Sequence, residues 1–424
     1  MLFAEKANSR CTPADGAHAA ALAIVVASVV FARPLRTQYL GTFVPLGKVG
    51  WSAILAVALL LAAALALAAL RSFRDGHRNA ALFFGCMAAS ASLCAYAFAT
   101  APASVSERHA VTSFLPYLEL PLFVVLWRKL PSSLEAISSA FAMSGALVAA
   151  SVLLDAEGLW NLGDWGQLIA RPNSGVGRIL YRPAGWLASR NYAAEYIAVT
   201  LPLALASCET RMLRSFRFAL FFVLATEGLA LGLTRCRTGW IATGLGLAVI
   251  AITSPRSTRR ARLLLCAVVL LGMVLAFLLP TRLQWNSSAP LVETLTSLVD
   301  LQSGSGKMRW DQYRETFSLL EGHFLRGLGM GGWQGQMRHR VFDLGMNAFP
   351  SSDYLRLHCD GGFAALFLAC LGFAAAGGAA LRAKHTWVLA SFVALATVSL
   401  ANAALFRPEM SFAAAALAVC ALKA

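Results

Sequence analysis

Four polar clusters interrupt an otherwise apolar chain, and their residue types suggest what they can do. The first is Arg182-Pro-Ala-Gly-Trp-Leu-Ala-Ser-Arg190-Asn191. The second is Thr234-Arg235-Cys236-Arg237-Thr238-Gly239-Trp240. The third runs from Arg309 to the glycine-rich Gly327-Leu-Gly-Met-Gly-Gly-Trp333. The fourth runs from Pro350 through Ser351, Ser352, Asp353, His358 and Asp360 to Gly362. Arginines dominate the first three. A guanidinium binds phosphate oxygens through a planar fork and stays charged at any working pH, so arginines converging on one cavity suit a phosphate or pyrophosphate ligand. The competing role is snorkelling, in which each arginine carries its charge to the membrane interface. Arg235 and Arg237 sit in a turn too short for topology to need them. The glycine run is not a nucleotide-binding loop, since no Gly-Lys-Ser/Thr follows it, and it reads as a tight turn. Glu119, Glu195 and Glu227 lie within apolar blocks. A carboxylate there either pairs with an arginine or marks a proton-coupled function.

The elements that must hold these clusters are membrane helices. Of 424 residues, 58% are hydrophobic and 13% charged, about half the charge of a soluble chain. Apolar blocks fall at 17–33, 51–70, 79–101, 112–127, 134–155, 191–208, 218–234, 239–254, 263–280, 362–381, 386–405 and 410–422. A span needs about 20 such residues. The expectation is an all-α polytopic integral membrane protein, one membrane domain over 1–424, with about twelve transmembrane helices. Short loops at 71–78, 128–133, 209–217, 255–262 and 382–385 are rich in arginine and fall on one side if the spans alternate. By the positive-inside rule that side is cytoplasmic, as are both termini. The N-terminus, with Lys6 and Arg10 before a weakly apolar stretch, reads as uncleaved.

All four clusters then share the opposite side, with the two long connections, 156–190 and 281–361. The second is too long for a plain linker and predicts short helices of its own. One is expected near 307–321, where Trp310, Tyr313, Phe317 and Leu320 recur at helical spacing as one apolar stripe. Such a helix suits a position on the membrane surface or over a cavity. The net charge of +15 reads as topology arginines rather than nucleic-acid binding, since no aromatic-basic module or zinc spacing accompanies it. Nine cysteines without regular spacing predict neither a disulfide framework nor a metal site.

In their order and spacing, the four clusters resemble the O-antigen ligase and O-antigen polymerase superfamily of bacterial envelope glycosyltransferases. The family places an arginine and a glycine before an asparagine that opens a span, as Arg182, Gly185 and Asn191 do. A Ser-Arg-Gly-aromatic turn follows, close to Cys236-Arg237-Thr238 with Trp240. An arginine then precedes a Gly-x-Gly turn, as Arg309 precedes Gly327-Leu-Gly329, with Phe324 in place of a family proline. Last comes a His-Asn-x-x-Leu helix start with an acid and a glycine beyond it, matched by Leu355, Asp360 and Gly362. The family's histidine and asparagine fall on Ser351 and Ser352 here. His358 lies seven residues further, two helical turns and about 10 Å along an axis, and Asp353 is a second candidate base.

The resemblance covers 178–375 and implies a metal-independent glycosyltransferase without cofactor, in the bacterial inner membrane with its active face periplasmic. A glycan would pass from undecaprenyl diphosphate to an acceptor hydroxyl, the acceptor being a glycan or lipid A-core. Arg182, Arg237 and Arg309, with Arg190 and Arg235, would hold the diphosphate. His358 and Asp353 would be the catalytic candidates. Two alternatives stand beside it. One is a transporter or flippase for polyprenyl-linked saccharides, which puts the weight on the three glutamates. The other is an inactive family member, motivated by Ser351.

Overall fold

A computed structural model of the chain describes residues 48–101, 105, 107–129, 134–157, 159, 183, 185–187, 189–207, 217–278, 304–337 and 350–423. Among these, the regular elements are helices. They are α1 (Lys48–Arg74), α2 (Arg78–Ala99), α3 (Glu107–Lys129), α4 (Leu134–Ala156), a 3-10 turn (Gly185–Leu187), α5 (Arg190–Ser207), α6 (Arg217–Thr234), α7 (Arg237–Thr253), α8 (Arg256–Leu278), α9 (Gly304–Leu320), α10 (Asp353–Arg382), α11 (Thr386–Ala401) and α12 (Pro408–Lys423). Each apolar block from 51–70 onward falls on one helix, α1–α8 and α10–α12 in turn. The block at 17–33 lies outside the described residues. Among the described residues, five segments are long and apolar enough to cross a membrane: Ser52–Arg74, Arg78–Ala99, Ala136–Ala156, Arg256–Leu278 and Asp353–Arg382. α6, α7, α11 and α12 are apolar but shorter.

α5 is the central post. Every side chain from Ala193 to Ser207 is buried, and it packs on α4, α6, α7 and α11. A helix apolar on all sides finds a place only inside such a bundle. The polar residues it carries are therefore forced into partnerships within the protein.

α6 and α8 approach backbone to backbone. Gly228 and Gly232 are one turn apart on α6; Gly228 faces Val269 and Gly272 of α8, and Gly232 faces Met273 and Ala276. A Cβ on Gly232 would lie 2.6 Å from the Met273 carbonyl oxygen, and one on Gly272 2.7 Å from that of Ala225. Lipid supplies no hydrophobic force between helices, so close backbone packing through small residues is the main source of their association. This contact fixes the end of α6 and the arginine turn that follows it.

α10 is two helices in one line. Gly362 breaks it with φ 78 and ψ 175. A Cβ there would lie 2.8 Å from the Arg326 carbonyl carbon, so the left-handed φ and the close approach both call for glycine. Beyond the break, Phe363–Arg382 rises about 30 Å, a full hydrocarbon thickness, and it matches the apolar block at 362–381. The nine residues Asp353–Gly361 form a separate polar head. The long connection before α10 contains α9 and a short helix at 332–337. α9 differs from the single apolar stripe expected of it. Leu320 is buried, Tyr313 is half-buried, and Trp310 and Phe317 face outward. One side of the stripe packs against the bundle and the other is left open.

Candidate functional site

The turn between α6 and α7 separates neighbouring arginines. Arg235 has φ 48, a conformation that few side chains other than glycine and asparagine adopt. Trp240 secures the turn, its indole N–H donating to the Leu231 carbonyl at 2.8 Å. The reversal at Arg235 lays its guanidinium 5.9 Å from the centre of the Phe277 ring at the end of α8. Two residues later, Arg237 opens α7, and its charge is felt at Arg190 of α5.

Arg190 opens α5, Arg237 opens α7, and Arg309 lies in α9. The charges of Arg237 and Arg309 both reach Arg190. Arg309 donates to Asn402 Oδ1 at 2.9 Å and to Thr238 Oγ1 at 3.4 Å. Asn402 Nδ2 donates to Glu195 Oε1. The second oxygen of Glu195 takes a bond from Arg407 Nη2. Arg407 also lies over the Tyr192 ring at 4.3 Å and 4.0 Å from Glu409. Burial alone would lower its pKa, but Glu195 and Glu409 outweigh that and the net shift is upward. Glu195 thus pairs with an arginine, though not one of those proposed from the sequence. Arg190 Nη1 is buried and finds no hydrogen-bond partner among the described residues. Three guanidiniums from three elements suit a ligand with several anionic oxygens. Beside them, burial and Glu195 push the Cys236 thiol up to about 11, so it stays protonated.

The candidate bases lie elsewhere. His358 Nε2 is 2.7 Å from the Phe324 carbonyl oxygen, and its ring meets the Phe324 ring edge-on at 4.8 Å. Asp353 accepts the backbone N–H groups of Ala404 and Leu405 at 2.9–3.0 Å. Asp360 accepts from Tyr117 at 2.9 Å and from the Gly331 N–H at 3.2 Å. All three are occupied in holding chain segments on the head of α10. The positions of the family's histidine and asparagine lie nearer the arginines. Ser351 donates to Gln312 Oε1 through its N–H at 3.1 Å and through its hydroxyl. Ser352 donates to the Ser399 carbonyl at 3.1 Å. Gln312 is three residues from Arg309 and Ser399 three from Asn402, each about 5 Å of helical rise. The structure therefore unites Arg190, Arg237 and Arg309, sends Arg235 away, and places Asp353 and His358 in structural contacts. Arg182 lies outside the described residues.

Residues 219–370 match the family model described as O-Antigen ligase. That stretch of the chain is similar to the O-antigen ligase family. No curated protein matches the chain. The O-antigen ligase match bears out the resemblance read from the four clusters. It starts in α6 and ends in α10, so it takes in Arg237, Arg309 and Ser351. Arg190, Glu195, Asn402 and Arg407 fall outside it, and the fold brings them to the same place. Sequence reasoning did not single out Asn402, Arg407 or Gln312 for this site. Arg407 carried a usable signal, an arginine between two apolar blocks on the side expected to face outward, where positive charge is disfavoured. Asn402 and Gln312 carried none.

Proposed function

We propose that this O-antigen ligase family protein transfers a glycan from undecaprenyl diphosphate to an acceptor hydroxyl, at the periplasmic face of the inner membrane. The observation that carries the reading is the convergence of Arg190, Arg237 and Arg309, with a buried guanidinium nitrogen of Arg190 left unsatisfied among the described residues. The acceptor oxygen attacks the anomeric carbon, the bond from that carbon to the diphosphate oxygen breaks, and the acceptor's proton passes to the departing diphosphate. Negative charge grows on the leaving group in the transition state. Guanidiniums already fixed there stabilise it without reorganising. The reaction draws its energy from the donor, so no nucleotide is needed. An apolar cavity of about 360 Å³ between α2, α3, α10 and α11 supports a lipid-linked substrate. Asp353, Ser399 and Leu405 line its end near the site. In this reading Asp353 and His358 are positioning residues. They hold the 402–407 loop and the 324–331 turn respectively.

The test uses purified protein in nanodiscs with undecaprenyl-diphosphate glycan and three acceptors: lipid A-core, a second lipid-linked glycan and a periplasmic protein. Acceptor-dependent release of undecaprenyl diphosphate is expected, with a loss of at least a hundredfold in Arg237→Ala and Arg309→Ala. One oriented donor group at such a site is worth that much. Full transfer by both variants would overturn the assignment. One observation favours transport of a polyprenyl-linked saccharide instead. Both oxygens of Glu227 in α6 are buried with no hydrogen-bond partner among the described residues. Lipid translocation that is abolished in Glu227→Gln, with no glycan transfer in the wild type, would establish that rival.

A further inference from the structure

α9 has two unlike sides. Arg309, Gln312, Thr316 and Leu320 turn towards the bundle. On the outward side, Trp310 and Phe317 are 56% and 57% exposed. Seven residues apart, they share a face within about 20°. The chain then turns at 321–326 and presents Phe324 and Leu325, 52% and 74% exposed. Next to this apolar edge, on the same outward side, lie exposed Lys307, Arg314, Ser318 and Glu321. An aromatic edge beside a charged edge is the pattern of a helix lying in a membrane interface.

What covers the apolar edge follows from α10. The Phe324 ring stacks on Phe363 at 4.9 Å, and Phe363 stacks on Phe367 at 6.3 Å. Phe363 and Phe367 are exposed residues of the membrane-crossing part of α10, which starts just after the Gly362 break. The ladder of rings therefore runs from a lipid-facing surface directly onto Phe324. An exposed ring continuous with that surface is at the depth of the upper hydrocarbon.

We infer that α9 and its 321–326 turn form a phospholipid-binding edge. Trp310, Phe317, Phe324 and Leu325 insert into the bilayer leaflet on the arginine-site side, while Lys307 and Arg314 lie at its headgroups. The partner is the lipid surface itself. Because Arg309 belongs to the same helix, this seating sets the height of the arginine site above the hydrocarbon. His358 takes part, since it bonds the Phe324 carbonyl and packs on its ring.

The experiment places the photo-crosslinker p-benzoylphenylalanine at Phe317, Leu325 or Ser318, one at a time, in full-length protein in phosphatidylethanolamine–phosphatidylglycerol nanodiscs. Phospholipid adducts are expected by mass spectrometry at Phe317 and Leu325, at least fivefold above Ser318. Equal yields at all three positions, or none at Phe317 and Leu325, would overturn the inference. A second measurement does not depend on the replacements folding. Phospholipids brominated near the glycerol end of the acyl chain should quench part of the native tryptophan emission, and Trp310→Phe should remove part of that quenching. Unchanged quenching in Trp310→Phe would equally count against it.

Discussion

Arg309 and Arg407 are both arginines near one glutamate, yet their surroundings give them different work. Arg407 is buried against Glu195 and Glu409 and stacked on Tyr192. Breaking a buried pair from one side strands the other charge and costs about 3–5 kcal/mol. Arg407→Ala should therefore lower the unfolding temperature in detergent sharply, and Glu195→Gln in that background should recover part of the loss. A drop of under one degree would contradict the pairing. Arg309 is held by two neutral acceptors, Asn402 and Thr238. Its loss should fall on transfer far more than on stability. Ser351 poses the remaining question at this scale, because it falls where the resemblance puts the family's histidine and bonds Gln312, one turn from Arg309 on α9. Replacing it by histidine should leave transfer within threefold if the arginines carry the rate, measured as undecaprenyl diphosphate release. A gain of more than tenfold would mean that proton transfer limits the native enzyme.

At the scale of elements, most of the architecture was legible in advance, for a physical reason. A helix in lipid must be apolar along its whole length, so blocks such as 51–70 and 362–381 announce themselves in composition. The latter block starts at the Gly362 break that divides α10. The two faces of α9 were less legible. Its periodicity gave the helix, but not that Tyr313 and Leu320 pack while Trp310 and Phe317 face outward, because an apolar side chain reads alike against protein and against lipid. The pairing of α6 with α8 was equally hidden, although Gly228 and Gly232 have the spacing that permits it. A bulky residue there cannot be accommodated by rotamer changes, since the opposing atoms are backbone and the fixed Cβ of Ala276. Gly232→Leu should cut the yield of folded protein and lower the unfolding temperature by several degrees. A wild-type melting curve for Gly232→Leu would show that the helices tolerate separation.

For the molecule as a whole, the site is a property of the bundle rather than of any stretch of chain. The order of the four clusters pointed to the arginines of three elements. Nothing in the order showed that the loop between α11 and α12 would close around them, because Asn402 and Arg407 reach Glu195 across more than two hundred residues of sequence. Tertiary contacts of that range leave no local periodicity.

The head of α10 connects these scales. Asp353 holds the 402–407 loop, His358 holds Phe324, and Asp360 holds Gly331, all from nine residues. A genetic selection for loss of function should therefore return changes in this head that resemble one another in phenotype while touching different neighbours. Second-site suppressors should then sort by partner: compensation for Asp353 among 402–407, and compensation for His358 or Asp360 among 324–331. The segment would behave as a crossroads in a suppressor map, with two separate lists of allele-specific rescuers meeting at one short helix.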